Sequence, residues 1–189
     1  MSNIYNDIDS TLLSQEEIEK KVTELAQIIN TEYSDKNPIM VCILKGSAIF
    51  YSDLCKQITC KMQMDFMQAS SYGNGTETTG MVIIKKELDN DIKGRHVVLI
   101  EDIIDSGVTL SNLKIELQKR EPASLKIMTL LSKRARRESD IEADYCGFEI
   151  DDYFVVGYGL DFAEQYRNMP YVGVLKKEVY EQHLKAMKA

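Results

Sequence analysis

The chain is short of the residues on which zinc and Ser-His-Asp chemistry depend. Its 189 residues include two histidines, His96 and His183, and four cysteines, Cys42, Cys55, Cys60 and Cys146. No two cysteines form a CxxC pair, so no zinc site is signalled. His96 is expected in a turn before a strand and His183 in a C-terminal helix, which leaves a Ser-His-Asp mechanism unsupported. Such cysteines fit reduced thiols and a cytoplasmic protein, with Cys42 buried inside an apolar run. No stretch approaches about 18 apolar residues, so no membrane span is expected. The polar, acidic start has no signal-like apolar core. Positive charge is also scarce: 23 Lys and Arg against 30 Asp and Glu leave a net charge of −7. Non-specific nucleic-acid binding needs clustered basic residues and is not expected. There is no internal repeat and no low-complexity linker. The length suits one domain with a sizeable core.

What the chain does have is concentrated in Val97–Leu110. Four aliphatic residues, Val97 to Ile100, suit a strand covered on both faces. Glu101 and Asp102 follow where that strand is expected to end. Then come Asp105 and a small-residue loop, Ser106-Gly107-Val108-Thr109. From Leu110 to about Arg120, apolar residues recur at helical spacing. Strand, acidic pair, loop and helix make an anion site at a helix N-terminus. Capping alone explains an Asp or Ser in such a turn, but not Glu101 and Asp102 together. Carboxylates beside an anion site make sense with a divalent cation or sugar hydroxyls between them.

The rest reads as an alternating α/β chain. Ser14 and Glu17 form a capping box for a helix to Tyr33, with Ile18, Val22, Leu25, Ile28 and Ile29 on one face. Ile39–Leu44 is a second buried strand. It ends in Lys45-Gly46-Ser47, and a helix follows from Ala48 to Gln57. Lys45-Gly46 reads as a solvated turn in isolation and as a second anion site beside the first loop. Met62 to Ser71 is a strand, residues 70–80 a mobile loop rich in Gly, Ser and Thr, and Met81 to Lys85 the returning strand. Leu125 to Leu131 is a further strand, with Lys133 just past its end. Arg134 to Arg137 read as a solvated basic loop. Gly157-Tyr158-Gly159 lacks the third glycine and the helix of a dinucleotide fingerprint. Tyr171 to Leu175 is a last strand, and Glu178 to Lys188 a short helix or tail.

Glu101-Asp102-Ile103-Ile104-Asp105-Ser106-Gly107 closely resembles the phosphoribosyl-diphosphate signature of the type I phosphoribosyltransferases, in the form of the hypoxanthine and hypoxanthine-guanine enzymes. Leu44-Lys45-Gly46, Ser71-Tyr72, Lys133 and the segment Phe154 to Arg167 resemble the family's other motifs, in the expected order. The resemblance implies a mainly parallel twisted sheet flanked by helices (about 35–145), a flap (about 66–85) and a small hood (about 1–12 and 146–189). It also extends to a cis Leu44–Lys45 peptide. It implies Mg²⁺-dependent transfer of 5-phosphoribosyl from phosphoribosyl diphosphate to a 6-oxopurine. Asp105 would be the general base. Residues Glu101, Asp102 and Asp105 to Leu110 (Ser106, Gly107, Val108, Thr109) would hold the phosphoribosyl group. Lys133, Phe154, Val155 and Asp161 would bind the purine. Lys45, Gly46 and Arg167 would meet pyrophosphate. Glu101, Asp102 and Asp161 would serve magnesium. A homodimer or homotetramer is the family's habit.

Two other kinds of protein fit the sequence less well. A ligand-sensing regulator of the same fold would not need Asp105, Lys133, Phe154 and Asp161 together, and here there is no appended DNA-binding domain. A phospho-accepting receiver domain would place its acidic pair near the N-terminus and has no role for Phe154 to Asp161.

Overall fold

The computed structural model describes residues 3–71 and 82–186. Tyr72, Met81 and most of the expected flap lie outside the described residues.

Six strands form the main sheet: β2 (Ile39–Leu44), β3 (Gln63–Ser71), β4 (Val82–Lys86), β5 (His96–Ile104), β6 (Ser124–Ser132) and β7 (Tyr145–Glu149). Their order is β4-β3-β2-β5-β6-β7. All pairings are parallel except β3 with β4. Strands β2 and β5 are apolar without alternation because both faces are covered. Met40, Cys42, Val98 and Ile100 pack toward α1 (Gln15–Glu32) and α2 (Ala48–Gln57). Their neighbours Ile39, Val41, Val97 and Leu99 pack toward α3 (Val108–Gln118). Helix α1 starts where the sequence places it: Ser14 Oγ accepts from Glu17 N–H, and the Glu17 carboxylate accepts from Ser14 N–H at 2.8 Å.

Three strands form a second, antiparallel sheet of order β1-β9-β8: β1 (Ile8–Leu13), β9 (Val172–Leu175) and β8 (Val155–Val156). Strand β1 has no clear alternation and gave no strand signal in the sequence. Helix α4 (Lys177–Ala186) packs on this small sheet through Val179 and Tyr180. Among the described residues, no helix is long and apolar enough to cross a membrane.

The sheet order fixes where a ligand can sit. From β2 the chain moves outward to β3, whereas from β5 it moves the other way to β6. The carboxyl ends of β2 and β5 therefore flank the point where the winding reverses, the usual place for a crevice in an open α/β sheet. The pairing of β5 with β2 ends at Ile100–Cys42, while its pairing with β6 continues to Ile104–Ser132. The sequence reading ended this strand before Glu101. The strand instead carries Glu101 and Asp102 within it, and also His96 as its first residue. The extra turn of ladder comes from β6, whose long apolar run supplies partners past the end of β2.

Candidate active site

Three loops meet at this crevice. The first follows β2. Its Leu44–Lys45 peptide is cis, and Gly46 lies so close to Asp102 that a Cβ on Gly46 would fall 1.7 Å from Asp102 Oδ2. On its other side Gly46 meets the small-sheet segment: a Cβ on Gly159 would fall 2.0 Å from the Gly46 carbonyl oxygen. Only glycine allows this approach at Gly159, where φ is +101°. Gly159 and Arg167 are tied both ways. Gly159 N–H donates to the Arg167 carbonyl (2.9 Å), and Arg167 Nη1 donates to the Gly159 carbonyl (2.8 Å). Arg167 Nη2 also pairs with Asp161 at 2.8 Å and stands 3.6 Å from Glu164. Lys45 Nζ pairs with the other Glu164 oxygen at 2.8 Å. Lys45 and Arg167, far apart in sequence, thus share one carboxylate.

The second loop follows β5. Gly107, at φ +77°, caps α3, which begins at Val108, two residues before the helical spacing of leucines suggested. Glu101, Asp105, Ser106, Thr109 and Leu110 line a cleft of about 150 Å³ there. Backbone N–H groups at the start of a helix make such a cleft suited to an anion. The loop is braced from behind by a segment that sequence reading had assigned to solvent. Arg137 Nη1 donates to the Asp105 carbonyl and its Nη2 to Ser132 Oγ, both at 2.8 Å, while Glu138 N–H and Ser139 Oγ donate to the Ser106 carbonyl. Arg137 is therefore a half-buried strut. Arg134 and Arg136 are exposed, as expected of that loop, although Arg136 Nε lies 3.4 Å from Asp105 Oδ1.

The third loop follows β6. Lys133 is 5% exposed. Its N–H donates to the Ile104 carbonyl (2.9 Å), and its Nζ lies 3.7 Å from Asp152. Lys133 lines a second cleft, of about 240 Å³, with Asp102, Asp105, Arg136, Phe154, Val155 and Asp161. Phe154 keeps 40% of its surface exposed. It is held by a stacked contact with Tyr180 (4.8 Å, 14°) and an edge contact with Phe162 (5.4 Å, 88°). Phe154 lines the cleft, whereas Tyr180 and Phe162, which hold it, do not. The two clefts share Ile103 and Asp105.

The electrostatics single out the strand-borne carboxylates. Burial, with the neighbouring Asp102 charge adding to it, pushes the Glu101 carboxyl well above the ordinary range. Burial likewise pushes Asp102 up to about 6, against the pull of the Ile103 N–H and Arg167. Successive positions on a strand face opposite ways: Glu101 lines the smaller cleft and Asp102 the larger. Among the described residues, no three His, Cys, Asp or Glu converge as a metal cage. Magnesium still fits, because it commonly takes one or two carboxylates and fills its shell with water and ligand oxygens.

Of the expected site residues, Asp102, Asp105, Lys133, Phe154, Val155 and Asp161 come together in one cleft. Glu101, Asp105, Ser106, Gly107, Thr109 and Leu110 come together in the adjoining one, which Val108 does not line. Lys45, Gly46 and Arg167 form a rim joined through Asp102, Gly159 and Glu164. Ser71 closes β3, and Tyr72 is not described. Sequence reading passed over Arg136, Arg137, Asp152 and Glu164. Of these only Glu164 has a local cue, its place three residues before Arg167.

A sheet with its anion loop at the reversal point, capped by a smaller aromatic-bearing sheet, is the architecture of a phosphoribosyl-transferring enzyme. The phosphoribosyl transferase domain model matches residues 10–163, and the chain belongs to that family, within its hypoxanthine-guanine group. It is 53% identical over 176 residues to the hypoxanthine-guanine phosphoribosyltransferase of Bacillus subtilis, covering 93% of this chain and 98% of the relative. It is 49% identical over 180 residues to the bifunctional protein TilS/HprT of Listeria monocytogenes, covering 95% of this chain but only 28% of that longer protein. The crystal structure of a hypoxanthine phosphoribosyltransferase from Staphylococcus aureus superposes with a TM-score of 0.92 at 49% identity, covering 95% of this chain and 97% of that one.

Proposed function

We propose that this chain is a cytoplasmic purine-salvage enzyme. It transfers the 5-phosphoribosyl group of phosphoribosyl diphosphate to N9 of hypoxanthine and guanine, releasing pyrophosphate with IMP or GMP. The observation that carries this reading is the pair of adjoining clefts meeting at Ile103 and Asp105. One is lined by hydroxyls and the start of a helix, the other by an aromatic face and a buried lysine. A sugar phosphate joined to a flat base needs these two environments side by side.

In this reading the Asp105–Thr109 loop binds the 5′-phosphate through N–H groups and hydroxyls. Phe154 stacks on the base, and the Val155 backbone meets its edge. Lys133, buried with its Nζ 3.7 Å from Asp152, donates to O6 and eases loss of the N7 proton. Asp105 accepts the proton from N7 as general base. Lys45, the Gly46 backbone and Arg167 hold the departing pyrophosphate and stabilise its growing charge. Glu101 and Asp102 hold the ribose hydroxyls. Glu101 and Asp102, and at a second position Asp161, would hold magnesium, which would supply charge neutralisation of the diphosphate. The small sheet forms a hood over a core of the main sheet, with residues up to Glu149 belonging to the core rather than to a hood from 146, and the assembly is a homodimer or homotetramer.

The test is direct. Purified protein with hypoxanthine, phosphoribosyl diphosphate and Mg²⁺ produces nucleotide, followed by absorbance. The same mixture with chelator in excess over Mg²⁺ does not. Absence of turnover with hypoxanthine, guanine and xanthine alike would refute the assignment.

A further inference from the structure

The shared carboxylate at the rim has a role of its own. We infer that Glu164 is a resident counter-anion that holds Lys45 and Arg167 in the free enzyme and is displaced by diphosphate, so that it weakens pyrophosphate and phosphoribosyl-diphosphate binding. The inference rests on Lys45 and Arg167 being the diphosphate-binding cations.

Three observations carry it. First, the two oxygens of Glu164 divide between the two cations, Oε2 to Lys45 Nζ at 2.8 Å and Oε1 to Arg167 Nη2 at 3.6 Å. A carboxylate bridging two cations does what a diphosphate oxygen pair does there. Second, the chain is bent to place it. Phe162 and Gln165 exchange N–H···O bonds (3.2 and 3.0 Å) around Ala163 and Glu164, at φ +52° and +64°. A two-residue turn with both centres left-handed ordinarily takes Asn-Gly. Side-chain-bearing residues in such a turn are strained, and strain of this kind gathers where a side chain must be aimed. Asp161 fixes the turn by accepting from Glu164 N–H at 2.9 Å. Third, the contact is built to let go. The Lys45 and Glu164 side chains are 56% and 66% exposed, and exposed ion pairs are weak. The longer arm, Arg167 Nη2 to Glu164 Oε1 at 3.6 Å, is looser still than the pair with Lys45.

The experiment compares wild type with Glu164→Gln, which keeps size and removes charge. Pyrophosphate binding is measured by calorimetry with Mg²⁺ present, and KM for phosphoribosyl diphosphate by initial rates. The expected result is about two- to fivefold tighter pyrophosphate binding and a KM lowered by the same factor, as befits a surface pair. KM for hypoxanthine stays put. The gain shrinks at 1 M salt, where exposed charges are screened, and it is reduced in a Lys45→Ala background. A purely structural turn residue would show neither dependence. Unchanged or weaker pyrophosphate binding in Glu164→Gln, with wild-type thermal stability, overturns the inference. A gain that persists in full beside Lys45→Ala does so too. If instead Lys45→Ala and Arg167→Ala each bind pyrophosphate as wild type does, the diphosphate assignment of these cations fails, and the inference with it.

Discussion

Gly159 is the position at which the joint between the two sheets can be tested most sharply. A methyl there would lie 2.0 Å from the Gly46 carbonyl oxygen and 3.1 Å from its carbon, both backbone atoms. No rotamer change relieves that contact. The two segments must part by about 1 Å, taking Arg167 with Gly159 through their paired hydrogen bonds. Backbone strain at φ +101° adds a cost on the order of 1–3 kcal/mol, and overpacking costs a similar amount. Gly159→Ala is therefore expected to lose about 2–5 kcal/mol and to melt roughly 5–15 °C lower. Because a misplacement of about 1 Å can cost 10²-fold in rate, kcat/KM for phosphoribosyl diphosphate should fall about a hundredfold at 25 °C, where the variant stays folded. Gly94→Ala is the control. Gly94 is also left-handed, at φ +68°, but nothing lies within 4 Å of an added Cβ. It should lose about 1 kcal/mol and keep its activity. Gly46→Ala separates the effects the other way. Its added Cβ meets Asp102 Oδ2 at 1.7 Å, a side chain that can swing aside, so activity falls with little loss of stability. Thermal unfolding followed by circular dichroism, with steady-state kinetics on the same samples, decides the matter. Wild-type kcat/KM in Gly159→Ala, or a profile matching Gly94→Ala, would refute the reasoning.

Asp105→Asn should lose roughly 10²–10⁴ in kcat, the usual span for a general base, while calorimetry finds phosphoribosyl-diphosphate binding largely kept. Phe154→Ala should raise KM for hypoxanthine about tenfold or more, since stacking on a base is worth about 1–3 kcal/mol, and leave KM for phosphoribosyl diphosphate within about twofold. Asp65 is expected to be purely structural. Burial alone would raise its pKa, but the Asn90 side-chain amide and the N–H groups of Asp89, Asn90 and Phe66 outweigh burial and hold it low. A lowered pKa means stability that is present above the unfolded value and lost as pH falls through the folded one. Asp65→Ala should therefore cost about 2–4 kcal/mol at pH 7 in urea unfolding, a difference that shrinks toward acid pH. An equal cost at both ends of the range would remove the charge from the explanation.

How much of this was legible in the sequence follows from how local each signal is. The capping box at Ser14 and Glu17, the apolar runs of β2 and β5 and the loop at Ser106-Gly107 depend on neighbours within a few residues, and each forms where the pattern puts it. The far end of β5 does not, because its ladder past Ile100 is supplied by β6, where Glu101 is paired with Thr129 and Ile104 with Ser132. Strand β1 was silent for the same reason: it exists by pairing with β9 at the other end of the chain. At the site, the motif residues were visible as motifs. The struts were not, because Arg137 looks like any other member of a basic run until the fold sets it beneath the Asp105 carbonyl.

The buried carboxylates show why composition could not assign these roles. Asp65, 1% exposed, has as many donors around it as its oxygens can use, and its negative charge is settled within the fold. Asp102 is also drawn out of water, yet the donors near it do not offset that burial, and its pKa rises to about 6. Glu101 has both burial and the charge of Asp102 against it. Side chains of this kind lower stability wherever they ionise, because the folded state favours their neutral forms. The deficit is the informative quantity. A fold that only needed a strand here could have used Val or Ile at both positions, as it does from Val97 to Ile100. Two carboxylates short of donors, side by side on β5 at the reversal point of the sheet, are complementary to something outside the chain that brings hydroxyl donors or positive charge. In the proposed function ribose hydroxyls and magnesium would supply both, whereas Asp65, in the same sheet, is already satisfied by donors of the chain itself.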